Sequence, residues 1–244
     1  EKYNIDKSIW VVSSQQNLYF KQLFKLLELL GYDWYKNCIH LSFEHVVLPE
    51  GKMSSREGRA IMLDEVFEKL KKMAYKEVEK RNKKLGKKVK EKIAEKIAIG
   101  ALKYNVLKVE LNNKITFDWQ RMLSFQGNTG PYLQYSYVRC RSILRKAGKW
   151  RKRYSVNQIN ENEKKLLRKI FEFNEIIENA ASDLRPNYVC NYCYELCSTF
   201  NEFYEKVPVL KGKNRNFRLT VVWITSEIIK RCLNLLGIKT VERM

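Results

Sequence analysis

Ile39-His40-Leu41-Ser42-Phe43-Glu44-His45-Val46-Val47-Leu48, followed by Pro49-Glu50-Gly51-Lys52-Met53-Ser54-Ser55-Arg56, is the stretch on which the fold of the N-terminal part turns. The apolar run Ile39 to Leu48 predicts a strand and Pro49-Glu50-Gly51 is a turn signal, so the polar segment from Lys52 is delivered to the end of a sheet. Ligands of open α/β sheets bind at that end. Upstream, Ile9-Trp10-Val11-Val12 predicts another strand. Leu18 to Leu30 then places Leu23, Leu26, Leu27 and Leu30 at helical spacing before Gly31 stops it. Strand, helix, strand and polar loop make an α/β unit. His40 and His45 have no ligand-spaced partners and read as ordinary residues.

Beyond this unit the pattern is helical. Asp64 is placed to cap a helix through Val66, Phe67, Leu70 and Met73. From Lys69 to Lys96 there are 13 basic and 4 acidic residues, read as a helical hairpin with its turn near Gly86. Such a stretch is equally well a solvated face or a contact to RNA phosphates. Ile93, Ile97, Leu102 and Leu107 continue the helical pattern. Thr129 or Asn128 suits the start of the next helix, with Pro131 in its first turn. Further helices are predicted at Glu161 to Ala181, Pro186 to Lys206 and Arg215 to Leu236, the last ending at Gly237. With no repeat in the sequence, they predict a bundle. The domains expected are 1–62, α/β; 63–125, a connecting helical region; and 126–244, all-α.

Charge narrows the class of partner. Across 244 residues, 47 Lys and Arg against 27 Asp and Glu give a net charge of +20, a field that attracts polyanions. The helix that starts at Pro131 is expected to continue through Arg139, Arg141, Arg145, Lys146, Lys149, Arg151, Lys152 and Arg153, a run with no acid between its first and last residues, and phosphate contact is their simplest use. Tyr132, Tyr135 and Arg139 fall at i, i+3 and i+7, on one helix face. On spacing alone that face is either packed core or a reader of single-stranded bases, which bind by stacking and edge hydrogen bonds. Cys190, Cys193 and Cys197 have the spacing of some metal ligands, yet Phe200 and Tyr204 extend the same stripe, so the thiols read as core and no metal is expected. No run of about 18 apolar residues predicts a membrane span. The six cysteines do not form a secreted disulfide framework, so a reducing compartment is expected.

Gly51-Lys52-Met53-Ser54-Ser55-Arg56 resembles the lysine-methionine-serine loop with which class I aminoacyl-tRNA synthetases hold ATP. Phe117-Asp118-Trp119 through Gly127-Asn128-Thr129-Gly130-Pro131-Tyr132-Leu133-Gln134-Tyr135 resembles the arginyl-tRNA synthetases in particular, and Leu235-Leu236-Gly237-Ile238 leading to Glu242-Arg243-Met244 resembles how that family's chains end. The resemblance implies the C-terminal part of a Rossmann-type catalytic domain followed by an all-α helical-bundle anticodon-binding domain. It implies an arginine–tRNA ligase that forms arginyl-adenylate from arginine, ATP and Mg²⁺ and transfers the arginyl group to tRNA(Arg), activation depending on bound tRNA.

The same resemblance carries residue roles. Lys52, Ser54, Ser55 and Arg56 become catalytic, with Lys52 and Met53 also at ATP; Arg56 stands where the wider class commonly has a second lysine. A mobile ammonium arriving with the charge that builds on the phosphates lowers the barrier, and the serines offer donors to phosphate oxygens. In Val11-Val12 through Gln15-Gln16 to Leu18-Tyr19-Phe20, Gln16 takes the position that meets substrate arginine. Tyr19, where the family usually has His, takes a position at ATP. Tyr132, Tyr135, Arg139, Tyr204 and Met244 take the anticodon pocket, and the acid-free basic run, not the resemblance, sets Arg141 and Arg145 toward tRNA phosphates.

The chain begins without methionine and has no His-Ile-Gly-His signature, so it reads as a fragment whose isolated 244 residues are expected to be inactive in aminoacylation. A monomer is expected, in the cytoplasm or an organelle. Two alternatives stay open at this point: a class I synthetase for another amino acid, and a non-catalytic tRNA-binding module.

Overall fold

The computed structural model describes residues 5–48, 51–52, 62–152, 154, 156 and 158–243. Two compact units emerge, one from the described residues of 1–53 with Val109–Phe117, the other from those of 54–108 and 118–244.

In the first unit, β1 (Ser8–Ser13) and β2 (Cys38–Phe43) pair in parallel, Ser8 opposite Cys38 through Ser13 opposite Phe43, joined through α1 (Asn17–Leu29). Phe20 of α1 is buried; its ring stacks on His40 at 4.2 Å and meets Trp10 edge-on at 5.5 Å. The expected single strand Ile39 to Leu48 is two strands. Phe43 ends β2, Glu44 donates its N–H to Leu111 O at 2.9 Å, and β3 (Val46–Leu48) joins a different sheet. There β3 pairs antiparallel with β4 (Gly51–Lys52) and parallel with β5 (Ile115–Thr116). Residues 109–117, read from sequence as part of the connecting region, thus supply a strand to this unit. The break follows from partners: beyond Phe43 the backbone donor is used by a loop and not by β1.

The second unit is helical: α2 (Leu63–Arg81), α3 (Lys87–Leu107), α4 (Trp119–Met122), α5 (Gly130–Ala147), α6 (Glu161–Phe171), α7 (Phe173–Ser182), α8 (Pro186–Lys206) and α9 (Arg215–Leu235). The lysine-rich stretch is the expected hairpin of α2 and α3, with Gly86 at the N-cap of α3. Asp64 does not cap α2; Met62 holds that position and Asp64 lies in the first turn, where its charge favours the helix dipole. Thr129 caps α5, its Oγ1 accepting from Tyr132 N at 3.2 Å, and Pro131 sits in the first turn.

The expected helix from Glu161 to Ala181 is broken at Glu172. Tyr192 Oη donates to Lys169 O at 2.9 Å, taking the carbonyl that Phe173 N–H would use in a continuous helix. α5 stops at Ala147, with Gly148 at φ 64°, so the basic run past Lys146 does not continue the helix as expected. α9 ends at Leu235, and Ile238 N donates to Leu233 O at 2.8 Å around Gly237 at φ 65°, a left-handed cap.

Cys190, Cys193, Leu196, Cys197 and Phe200 are completely buried and centre the bundle core, with Cys140 of α5 and Cys232 of α9 also in it. Burial pushes the Cys140 thiol well above its usual range. All six cysteines are free thiols. Among the described residues no helix is long and apolar enough to cross a membrane.

Candidate nucleic-acid interface

α5 is held against α3 at a point where two glycines meet. A Cβ on Gly130 would run into Gly100 O, so position 130 has no room for a side chain, and a Cβ on Gly100 would press on the Gln134 amide at 2.9 Å. Just before the helix, Tyr104 Oη donates to Asn128 Oδ1 and lies 3.0 Å from Cys190 O, while Lys108 Nζ donates to Asn128 O at 3.0 Å. Thr129 Oγ1 donates to Ser124 O at 2.6 Å. These bonds fix the start of α5.

On the face so positioned, Tyr132, Tyr135 and Arg139 come together with Asn201 and Tyr204 of α8. Asn201 Nδ2 donates to Tyr132 Oη at 2.8 Å and to Ser136 Oγ at 3.3 Å, and its Oδ1 accepts from Arg139 Nη1 at 2.8 Å. The Arg139 guanidinium lies 5.2 Å from the Tyr135 ring centre and 5.4 Å from that of Tyr204, within cation–π range of both. Tyr204 stacks in turn on buried Phe200. Burial is the main cause that raises the Tyr132 phenol above its ordinary value, so at neutral pH it is a protonated hydroxyl able to donate.

Tyr132, Tyr135, Arg139 and Asn201, with Glu205 of α8, line one wall of a cavity of about 920 Å³, and Tyr204 lies behind Arg139 outside it. Its other walls come from Met73, Lys76, Glu77, Lys80 and Arg81 of α2 and from the segment Gln120 to Gln126. A cavity of this size, with aromatic rings, a guanidinium and hydroxyls converging, suits planar, edge-polar, anionic ligands such as unpaired nucleotides.

The structure therefore gathers four of the sequence-predicted residues, Tyr132, Tyr135, Arg139 and Tyr204. Arg141 and Arg145 do not line this cavity; Arg145 Nη1 lies 3.4 Å from Glu242 O, beside the C-terminal segment. That segment is held by three further contacts, Lys96 Nζ to Thr240 O at 3.3 Å, Lys103 Nζ to Gly237 O at 2.7 Å and Gln134 Nε2 to Lys239 O at 2.8 Å. Met244 itself lies outside the described residues, as do Met53, Ser54, Ser55 and Arg56. Lys52 is placed by its backbone alone, on β4 opposite Val47. Gln16 and Tyr19 are exposed at the start of α1, just past the carboxyl end of β1; nearby, Ser14 Oγ donates to Glu44 Oε1 at 2.6 Å, a bond that holds the carboxyl below its usual range.

Sequence reasoning missed Asn201, Phe125 and Arg81. Asn201 had one signal, a polar side chain one turn past Cys197 in a helix otherwise rich in apolar residues; the other two had none.

Comparison with known proteins agrees along the chain. Residues 1–119 match the family model described as tRNA synthetases class I (R), catalytic domain, and residues 133–244 match the DALR anticodon binding domain. The chain is 39% identical over 246 residues to the arginine–tRNA ligase of Clostridium acetobutylicum, covering 99% of this chain and 43% of that protein. It is 36% identical to the arginine–tRNA ligase of Phocaeicola vulgatus, covering 100% of this chain and 42% of the other. Among solved structures, the Thermus thermophilus arginyl-tRNA synthetase superposes with a TM-score of 0.90 at 32% identity, covering 98% of this chain and 41% of that one. The Plasmodium falciparum arginyl-tRNA synthetase does so with a TM-score of 0.80 at 26% identity, covering 100% and 42%. The chain thus spans about two fifths of the length of the relatives it matches.

Proposed function

The chain belongs to the class I arginyl-tRNA synthetase family, and on that premise we propose that it is the portion of an arginine–tRNA ligase that carries the ATP loop and reads the anticodon of tRNA(Arg). The observation that supports this most is the cluster of Tyr132, Tyr135, Arg139, Asn201 and Tyr204, two hydrogen-bonded elements converging on a cavity beside stacked rings. A helix buried as plain core would not line a cavity with a guanidinium and two phenols.

In the reaction we propose, a carboxylate oxygen of arginine attacks the α-phosphorus of ATP, and the bond to the bridging oxygen breaks as pyrophosphate leaves. Mg²⁺ enters with ATP as part of that substrate. Lys52 brings its ammonium to the charge developing on the phosphates, with Ser54, Ser55 and Arg56 as further donors and Met53 in the same loop. Gln16 meets the substrate arginine, and Tyr19 lies at the nucleoside side. A hydroxyl of the terminal ribose of tRNA then attacks the carbonyl carbon of the adenylate, and AMP leaves. Met244 joins the anticodon pocket, and Arg141 and Arg145 serve phosphates away from it. We assign the enzyme to the cytoplasm or an organelle's translation apparatus, as a monomer.

The test of the catalytic half is Lys52→Ala in the enzyme that includes the N-terminal part of the catalytic domain. Arginine-dependent ATP–pyrophosphate exchange should fall by at least ~10²-fold, the scale for removing one transition-state donor, with tRNA affinity unchanged. Equal loss of both would assign Lys52 a structural role.

A further inference from the structure

The cavity has a second wall that the tyrosine cluster does not use. Arg81, the last residue of α2, sets its guanidinium 4.3 Å from the ring centre of Phe125, and Phe125 meets Tyr135 edge-on at 6.4 Å. Phe125 is held by a local bond network rather than by helix. Ser124 Oγ donates to Gln126 O at 3.0 Å and accepts from Gln126 N at 3.1 Å, and Gly127 turns the chain at φ 75°. A part-buried aromatic ring on a hydrogen-bonded turn, layered with a guanidinium, is the arrangement that stacks an unpaired base.

Beside this pair, Lys76 and Lys80 of α2 line the same cavity. They are exposed, and the 3.0 Å pair of Lys80 with Glu77 is of the surface kind that contributes little and exchanges readily for a phosphate. At about 920 Å³ the cavity is near the upper end of the ~300–1,000 Å³ seen for pockets that enclose a whole drug-sized molecule, more than one base requires. On α2 the buried residues Val66, Leu70, Ala74 and Val78 face the core, and periodicity keeps Lys76 and Lys80 off that face, on this rim.

We infer that Phe125 and Arg81 form a second base-stacking subsite of single-stranded RNA, adjoining the tyrosine cluster, with Lys76 and Lys80 holding the backbone phosphates between the two bases. This rests on the proposed reading of tRNA by α5 and α8 and adds to it a specific neighbour: the nucleotide next to the base that Tyr132 and Arg139 hold. The tyrosine cluster reads an edge by hydrogen bonds; the Phe125 subsite stacks and tolerates any base.

The experiment uses the full chain and hairpin RNAs carrying the anticodon loop of tRNA(Arg), either intact or with a single abasic position moved across the loop. For intact RNA, Phe125→Ala should weaken binding roughly 5- to 150-fold, as expected for loss of one base–aromatic stack. Phe125→Trp should restore it. With the RNA abasic at the stacked position, Phe125→Ala should change affinity by less than twofold, whereas the other abasic RNAs should keep the full loss. Lys76→Ala with Lys80→Ala should reduce the salt slope by about 2 without changing base preference. Phe125→Ala that weakens all abasic RNAs alike, or none, overturns the subsite. Wild-type chain that binds anticodon-altered and unaltered hairpins equally would instead overturn the reading beneath it, so the two failures are distinguishable.

Discussion

Asn201 occupies the centre of the candidate interface although nothing it touches is its own neighbour in sequence. It donates to Tyr132 and accepts from Arg139, so both side chains lose rotamer freedom before any ligand arrives. Asn201→Ala should weaken tRNA(Arg) binding by ~1–3 kcal/mol, the scale of a bond to a charged group plus the phenol left without its partner, and isothermal titration would measure it. Arg139→Lys keeps the charge and loses the plane that lies between the Tyr135 and Tyr204 rings. Anticodon discrimination should therefore fall while the salt slope stays the same, a separation that titrations at several salt concentrations would resolve. At this scale, periodicity carried Tyr132, Tyr135 and Arg139 to one face, and family resemblance added Tyr204. Asn201, Phe125 and Arg81 escaped both, because their neighbours come from other helices and no local spacing encodes a contact across a bundle.

Elements explain why the face is where it is. The contact of Gly100 with Gly130 sets α3 and α5 closer than any side chain would allow, and Gly130→Ala would drive its Cβ into Gly100 O. Destabilisation of ~1–3 kcal/mol, the usual cost of overpacking, is expected in chemical denaturation. Glu163 is another junction: it completes the capping box of α6 with Asn160 and pairs with Arg218 of α9 at 2.7 Å, with its side chain almost wholly buried. Glu163→Ala should cost ~3–5 kcal/mol by leaving a poorly solvated guanidinium, and a fall in Tm would register it. Glu202, bridging to Lys165 of α6, has its carboxyl lowered to about 2 by hydrogen bonds from Lys165 and Lys206. Its folded value is depressed, so the stability it adds is complete above its ordinary range near 4.5 and is lost as pH falls toward 2. The helices α8 and α9 were legible almost to the residue, since Pro186 and Gly237 mark their ends. The break at Glu172 was not, because its cause is the Tyr192 hydroxyl on another helix. The split of the strand after Phe43 was likewise hidden: its partners, β5 and Leu111, lie some 70 residues further along the chain.

For the whole molecule, the +20 charge and the cavity predict different things. Charge alone gives affinity for any polyanion and a steep decline with salt; the cavity gives preference for one loop sequence. The family models meet inside the helical unit, catalytic to residue 119 and anticodon-binding from 133, and the cavity takes side chains from both stretches. The decisive measurement is a titration of the chain with tRNA(Arg) and with the same tRNA altered only in its anticodon, each at two salt concentrations. Weaker binding of the altered tRNA at both salts is the predicted result, because hydrogen bonds and stacking on a base would discriminate whatever the screening. Equal binding of the two, vanishing together as salt rises, would contradict it and leave only the charge at work.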